Sequence, residues 1–105
     1  MQTFSVQMTG NAEDDLDRIL HYLLYVKKSS QAAESVFKDF QETKIKLETV
    51  AGILKLMDNP VLAKEGYKKI GFQRHRYYLL FRIEGTAAIV DGIFHELQDT
   101  DGILR

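Results

Sequence analysis

Between Val61 and Arg82 the chain carries six bases (Lys64, Lys68, Lys69, Arg74, Arg76 and Arg82) against one acid, Glu65, a local net of +5 within an overall formal charge of −1. Such clustering favours phosphate or an acidic partner. Arginine holds phosphate through two parallel hydrogen bonds, and histidine is the natural proton carrier near neutral pH. His95 closes this part of the chain and lies next to the Arg74-His75-Arg76 cluster. Asp91, His95 and a tyrosine mimic an acid–base relay, but no Ser or Cys nucleophile motif accompanies them, which argues against a hydrolase triad. His21 has no partner at metal-ligand spacing, and the glycines sit at turns rather than in a phosphate-binding loop. Neither a metal nor a cofactor is expected. A solvated face accounts for isolated charges equally well, so the elements that carry these residues must decide.

Gly66–Asp99 (GYKKIGFQRHRYYLLFRIEGTAAIVDGIFHELQD) reads as three consecutive antiparallel strands. Tyr77–Ile83 is rich in aromatic and branched residues, Glu84-Gly85-Thr86 is a turn signal, and Ala87–Phe94 resumes the β-pattern. Gly at the first central position fits a type II′ hairpin with Gly85-Thr86 as its loop. That loop pairs Arg82 with Ile89, Leu80 with Asp91, Tyr78 with Ile93 and Arg76 with His95. One face then carries Arg76, Tyr78, Arg82, Asp91 and His95. The other carries Tyr77, Leu79, Phe81, Ile83, Ala88, Val90 and Phe94 as a core layer. A three-residue loop would put His95 beside His75 instead.

The preceding residues read as the support. Thr3–Thr9 alternates, with Phe4, Val6 and Met8 on one side of a first strand. Thr9 or Asn11 can cap a helix whose stripe is Ala12, Leu16, Ile19, Leu20 and Leu23, running to about Val26. Glu13, Asp14, Asp15 and Asp17 suit its N-terminus. Leu24 and Tyr25 sit off the stripe, as spare apolar surface for a core neighbour or a partner. Lys27-Lys28-Ser29-Ser30 is a short connection, with Ser30 as cap of a second helix (Ala33, Val36, Phe37, Phe40, Leu47, Val50, Leu54). Gly52 or Asp58-Asn59-Pro60 ends it. Two helices so joined form an antiparallel hairpin that must cover a sheet. Val61–Glu65 reads as a linker, and Gln98–Arg105 as a polar tail with Ile103 and Leu104 available to dock.

At 105 residues and 45% hydrophobic content, the chain is one domain, residues 1–105, burying roughly 60–65% of its unfolded surface. No apolar run approaches the ~20 residues of a membrane span, and no signal peptide precedes the first strand. The lack of cysteine excludes disulfides and Cys-based zinc sites, and a cytoplasmic location fits.

The order β-αα-βββ with a basic sheet gives an α+β fold, a helical hairpin on a small, mainly antiparallel sheet. Its features run nearly end to end: the strand ending in Thr9; Ala12 with Asp15-Leu16; Ile19 with Tyr22-Leu23; Ala32-Ala33; Pro60; Gly66 with Lys69-Ile70. Tyr77-Tyr78-Leu79-Leu80-Phe81-Arg82-Ile83 and Ile93-Phe94-His95 with Gln98-Asp99 complete them. In these the chain resembles the RelE/ParE superfamily of bacterial toxins from type II toxin–antitoxin modules.

The resemblance implies a cognate antitoxin as partner, folding on the toxin with apolar contacts and acidic side chains over the +5 region. It also implies one of two targets. Members that cut ribosome-bound mRNA resemble metal-independent ribonucleases: the ribose 2′-oxygen attacks the adjacent phosphate and the 5′-oxygen leaves. That needs a base, an acid and cations around the pentacovalent phosphate. On this reading Lys69, Arg82 and His95 are the catalytic set, with Lys68, Arg74, Arg76 and Tyr78 binding RNA or phosphate. Two cations depart from the pattern: Tyr78 follows Tyr77 where arginine is expected, and His95-Glu96-Leu97 replaces H-x-R. Other members poison DNA gyrase without a ribonuclease constellation, and a non-toxic binding module with the same fold is a third reading. No membrane partner is implied.

Overall fold

A computed structural model describes residues 2–98; the expected docking of Ile103 and Leu104 lies outside them. The first strand, β1 (Ser5–Met8), reflects the alternation at Phe4, Val6 and Met8, all of which pack against the core. Thr9 then stays extended, and its hydroxyl accepts a hydrogen bond from the Ala12 amide at 3.2 Å. This cap starts α1 (Gly10–His21), satisfying one of the free amides of its first turn.

The stripe predicted to run to Val26 is helical throughout, but Tyr22–Val26 is a π-helical turn. The Lys27 amide bonds the Tyr22 carbonyl, a five-residue step that turns the last side chains off the stripe. Tyr22, Leu24, Tyr25 and Val26 are exposed as a result. Lys28 reverses the chain at a φ of 53°. Ser29, not the expected Ser30, caps α2 (Ser30–Val50), accepting from the Ala32 amide at 3.1 Å. The hairpin needs one residue fewer in its connection than the serine pair suggested.

Ala33, Val36, Phe40 and Leu47 bury the inner face of α2. Ala51–Ile53 closes it in a 3-10 turn at the predicted Gly52 boundary. The stretch expected to be a linker holds a short helix, α3 (Pro60–Lys64). The Asn59 side chain accepts from the Val61 and Leu62 amides, and Pro60 occupies a first-turn position where no amide hydrogen is needed.

Strands β2 (Lys68–Gly71), β3 (Tyr77–Glu84) and β4 (Ala87–His95) join β1 in one sheet of order β1-β4-β3-β2. β1 runs parallel to β4 and the other pairs are antiparallel. Gly85, at φ 60°, forms the expected tight turn, and Glu84 pairs with Ala87 and Arg82 with Ile89. Beyond that point the register shifts. Phe81 faces Val90 but Leu80 faces Gly92, so Asp91 is an extra residue in β4. The predicted pairs Leu80/Asp91, Tyr78/Ile93 and Arg76/His95 become Leu80/Gly92, Tyr78/Phe94 and Tyr77/His95. One inserted residue exchanges the faces of everything after it.

The helical hairpin covers one face of the sheet, where Leu79, Phe81, Ala88, Val90 and Ile93 meet Ala12, Val36, Phe40 and Leu47. The opposite face is partly covered too. Leu62 of α3 and Met57 pack on Tyr78, Leu80 and Phe94, with Tyr67 alongside. Beyond the end of β1 the Ile93 amide of β4 donates to the buried carboxylate of Asp15 at 3.0 Å, which α1 brings to that edge.

A second buried carboxylate positions the loop between β2 and β3. Asp39 of α2 has no solvent exposure and accepts from the amides of Gln73 (3.0 Å) and Arg74 (2.8 Å) and from His75 Nδ1 (2.7 Å). Burial by itself would raise its pKa. The His75 ring and the two amides outweigh that and hold it below the ordinary aspartate value.

Candidate functional site

The bulge at Asp91 gathers the strongest polar cluster on the sheet face opposite the hairpin. Asp91 accepts from the Tyr67 hydroxyl at 2.7 Å and from Arg82 Nε at 3.1 Å, and Arg82 also pairs with Glu84. Burial raises the Tyr67 pKa, and the hydrogen bond to the Asp91 carboxylate raises it further, so the phenol keeps its proton. Tyr67 carries no signal of this role in the sequence; its place one residue before β2, opposite Arg82, brings it to the bulge. Each group here is already engaged by another: the carboxylate by a phenol and a guanidinium, the guanidinium by two carboxylates.

Lys69 shares this face. It pairs with Leu80, is exposed, and its ammonium lies 5.2 Å from the centre of the Tyr78 ring. Tyr78, expected on an open basic face, is only 3% exposed because α3 and Met57 cover it. Its hydroxyl makes no hydrogen bond among the described residues, and burial raises its pKa.

His95 is elsewhere. The bulge puts it on the hairpin side of the sheet, where its ring meets Tyr77 edge-on at 5.4 Å. Its Nδ1 accepts the Leu97 amide at 3.1 Å, so the neutral ring carries its proton on Nε2. Tyr77 and Arg82 are five positions apart on β3, about 17 Å at ~3.4 Å per residue. His95 and Arg82 therefore sit on opposite faces and toward opposite ends of one strand pair. Arg76 is the expected cation that stays beside His95: it is exposed, and its carbonyl accepts the Glu96 amide at 2.8 Å.

The remaining cations are largely spent inside the protein. Lys68 donates to the Ala51 carbonyl at 3.3 Å, closing the end of α2. Arg74 pairs with Glu42 of α2 at 2.6 Å, an interaction that keeps its guanidinium firmly protonated. Counting charges along one window hid this, because Glu42, Glu84 and Asp91 lie outside it. Among the described residues no cluster of His, Asp and Glu could hold a metal ion, and no helix is long and apolar enough to cross a membrane.

The hairpin tip offers a different surface. Leu20, Leu24, Ala33 and Phe37 line an apolar groove of about 200 Å³ between α1 and α2. Beside it stand the exposed Tyr22 (45%), Tyr25 (66%) and Val26 (62%) raised by the π-helical turn.

This architecture is the RelE/ParE fold that the residues suggested. A chain of the chromosomal ParDE TA system from P. aeruginosa superposes with a TM-score of 0.69 at 23% identity, over 89% of this chain and 96% of its own. A chain of the toxin–antitoxin complex RelBE2 from Mycobacterium tuberculosis superposes with a TM-score of 0.58 at 18% identity, over 93% and 97% respectively. No family model matches the sequence, and no curated protein does.

Proposed function

We propose that the protein is the toxin of a type II toxin–antitoxin module and that it stops its target by binding rather than by cutting RNA. One observation carries the second half: His95 and Arg82 lie on opposite faces of the sheet, so no single phosphate could touch both. In-line phosphoryl transfer needs its acid, its base and its cations around one pentacovalent phosphorus. The burial of Tyr78 and the internal pairing of Lys68, Arg74 and Arg82 support the same reading. Among the targets that the RelE/ParE resemblance implies, DNA gyrase is the one that requires no ribonuclease constellation.

The antitoxin reading rests on the hairpin groove and its exposed aromatic tip, together with the TA system and the toxin–antitoxin complex from which the two structural neighbours come. An amphipathic segment laying its apolar face into that groove would fold as it binds.

Induced expression without the partner tests the target. Growth arrest with intact message ends and blocked gyrase supercoiling by the purified protein is the expected result. Messages cut at defined positions under the same conditions would overturn the binding mechanism and restore the ribonuclease.

A further inference from the structure

Ser35 and Asp39, one turn apart on α2, meet His75 of the β2–β3 loop at the margin of the helix. His75 Nδ1 donates to Asp39 Oδ2 at 2.7 Å, and His75 Nε2 stands 3.3 Å from the hydroxyl of Ser35. Asp39 is fully buried and further fixed by the amides of Gln73 and Arg74, which leaves it one orientation. With Nδ1–H committed to Asp39, the free lone pair of the neutral ring is on Nε2, directed at Ser35 Oγ. Ser35 itself is exposed. It opens on a depression of about 380 Å³ that Gln31, Lys38, Glu42 and Arg74 also line. A buried carboxylate, a histidine oriented by it and a solvent-facing hydroxyl within reach of the second ring nitrogen make up a nucleophile–base–orienter set.

We propose that Ser35 is an activated nucleophile that accepts acyl groups from small activated esters. Ser35 Oγ attacks the ester carbonyl while its proton passes to His75 Nε2. The tetrahedral adduct collapses and the C–O bond to the leaving group breaks. An alkoxide takes the proton from the imidazolium as it departs, whereas a phenolate leaves as the anion and the imidazolium returns its proton to solvent, so His75 is neutral again. An acyl-Ser35 remains. Water, deprotonated by His75, then attacks the acyl carbonyl, and Ser35 Oγ leaves with the proton to regenerate the hydroxyl.

The site also sets a limit on speed. Ser35 lies in the body of α2, where its own amide is committed to the helix, so no backbone pair faces the developing oxyanion. Lys38, one turn further along α2, lines the depression with the Glu42-paired Arg74, but Glu34 and Glu42 balance their charge, so little positive potential replaces the missing donors. Loss of an oxyanion-hole donor lowers turnover by ~10²–10³-fold in serine hydrolases. Acylation and deacylation both slow, which confines the reaction to activated esters and leaves the unactivated acyl-Ser35 ester to turn over slowly. The toxin reading uses none of these residues as working groups, so the two stand or fall separately.

A fluorophosphonate probe on the full chain, with the adduct mapped by mass spectrometry, tests it. The expected result is one adduct per chain at Ser35, formed at least tenfold faster than at the exposed Ser5 and Ser30 of the same molecules. His75→Gln, checked for an unchanged thermal melt, should slow labelling of Ser35 at least tenfold, and p-nitrophenyl acetate should give a burst of about one equivalent that Ser35→Ala abolishes. Labelling of Ser35 no faster than Ser5 and Ser30 would overturn the proposal, and that comparison stands even if the His75 variant fails to fold. An unchanged Ser35 rate in a folded His75→Gln protein would overturn it as well.

Discussion

Asp39 shows how much one side chain can organise. It has no solvent contact, and three donors from the β2–β3 loop converge on it. Hydrogen bonds to a charged group contribute ~1.5–3 kcal/mol each, so Asp39→Asn should cost about 2–3 kcal/mol at neutral pH. The sign of the pH dependence is set by the carboxyl's lowered pKa. Stability from a carboxylate held below its ordinary value of ~3.9 is complete above that value and disappears as pH falls through the folded-state one. Thermal melts of parent and Asp39→Asn should therefore differ by a constant margin from neutral pH down to about pH 4 and converge below it. A margin unchanged in strong acid would mean that the side chain is not ionised in the folded protein. Arg82 and Arg76 separate in a similar way. Arg82 holds Asp91 at the bulge, so Arg82→Ala should cost about 1 kcal/mol. Arg76→Ala, on an exposed side chain, should stay within ~0.5 kcal/mol by chemical denaturation. None of these roles could be read along the sequence, because Asp39 and His75, or Tyr67 and Asp91, are neighbours only after the sheet and α2 have met.

The elements themselves were mostly legible, since their signals are local. Alternation gave β1, the spaced apolar stripe gave α1 and α2, and Gly85-Thr86 gave the hairpin with its first pairs correct. The bulge is where local reading failed. AAIVDGIF alternates plausibly in either register, and only an extra residue decides which side His95 takes. Gly92 was the available signal, because glycine inside a strand often marks a bulge or a close approach. A Cβ at Gly92 would stand 2.5 Å from Phe94 Cε2 and 3.1 Å from Asp15 Oδ2. The Phe94 ring is buried and cannot swing clear, so Gly92→Ala should destabilise by about 1–3 kcal/mol, as overpacking does. Urea unfolding measures it, and a neutral result would mean that the second half of β4 yields easily. Asn59-Pro60 was a helix-start signal of the same kind, read as a possible end of the second helix with Val61–Glu65 as a linker, because the five residues of α3 are too few to show an apolar stripe.

At the level of the whole molecule, the hairpin covers one face of the sheet while its own far end stays uncovered. Tyr25, 66% exposed, touches the His21 ring at 4.6 Å. Tyr25→Ser should leave the thermal melt nearly unchanged, since exposed positions seldom matter by more than ~0.5 kcal/mol. It should weaken binding of the proposed antitoxin at least tenfold if that partner uses the tip. Calorimetry should find a large negative heat-capacity change for that association and little salt dependence, because much of the +5 cluster is paired internally. Near-zero heat-capacity change would place the partner on another surface.

The parallel pairing of β1 with β4 has a consequence in time. Val6 finds its neighbour in Ala88, and Met8 in Val90. On a translating ribosome adding ~5–20 residues per second, β1 would wait roughly 4–16 s for the strand it pairs with. Until then α1 and α2 have no sheet on which to bury Val36, Phe40 and Leu47. The nascent chain thus stays without its finished surfaces through most of its own synthesis, and any partner that folds onto those surfaces must wait for β4.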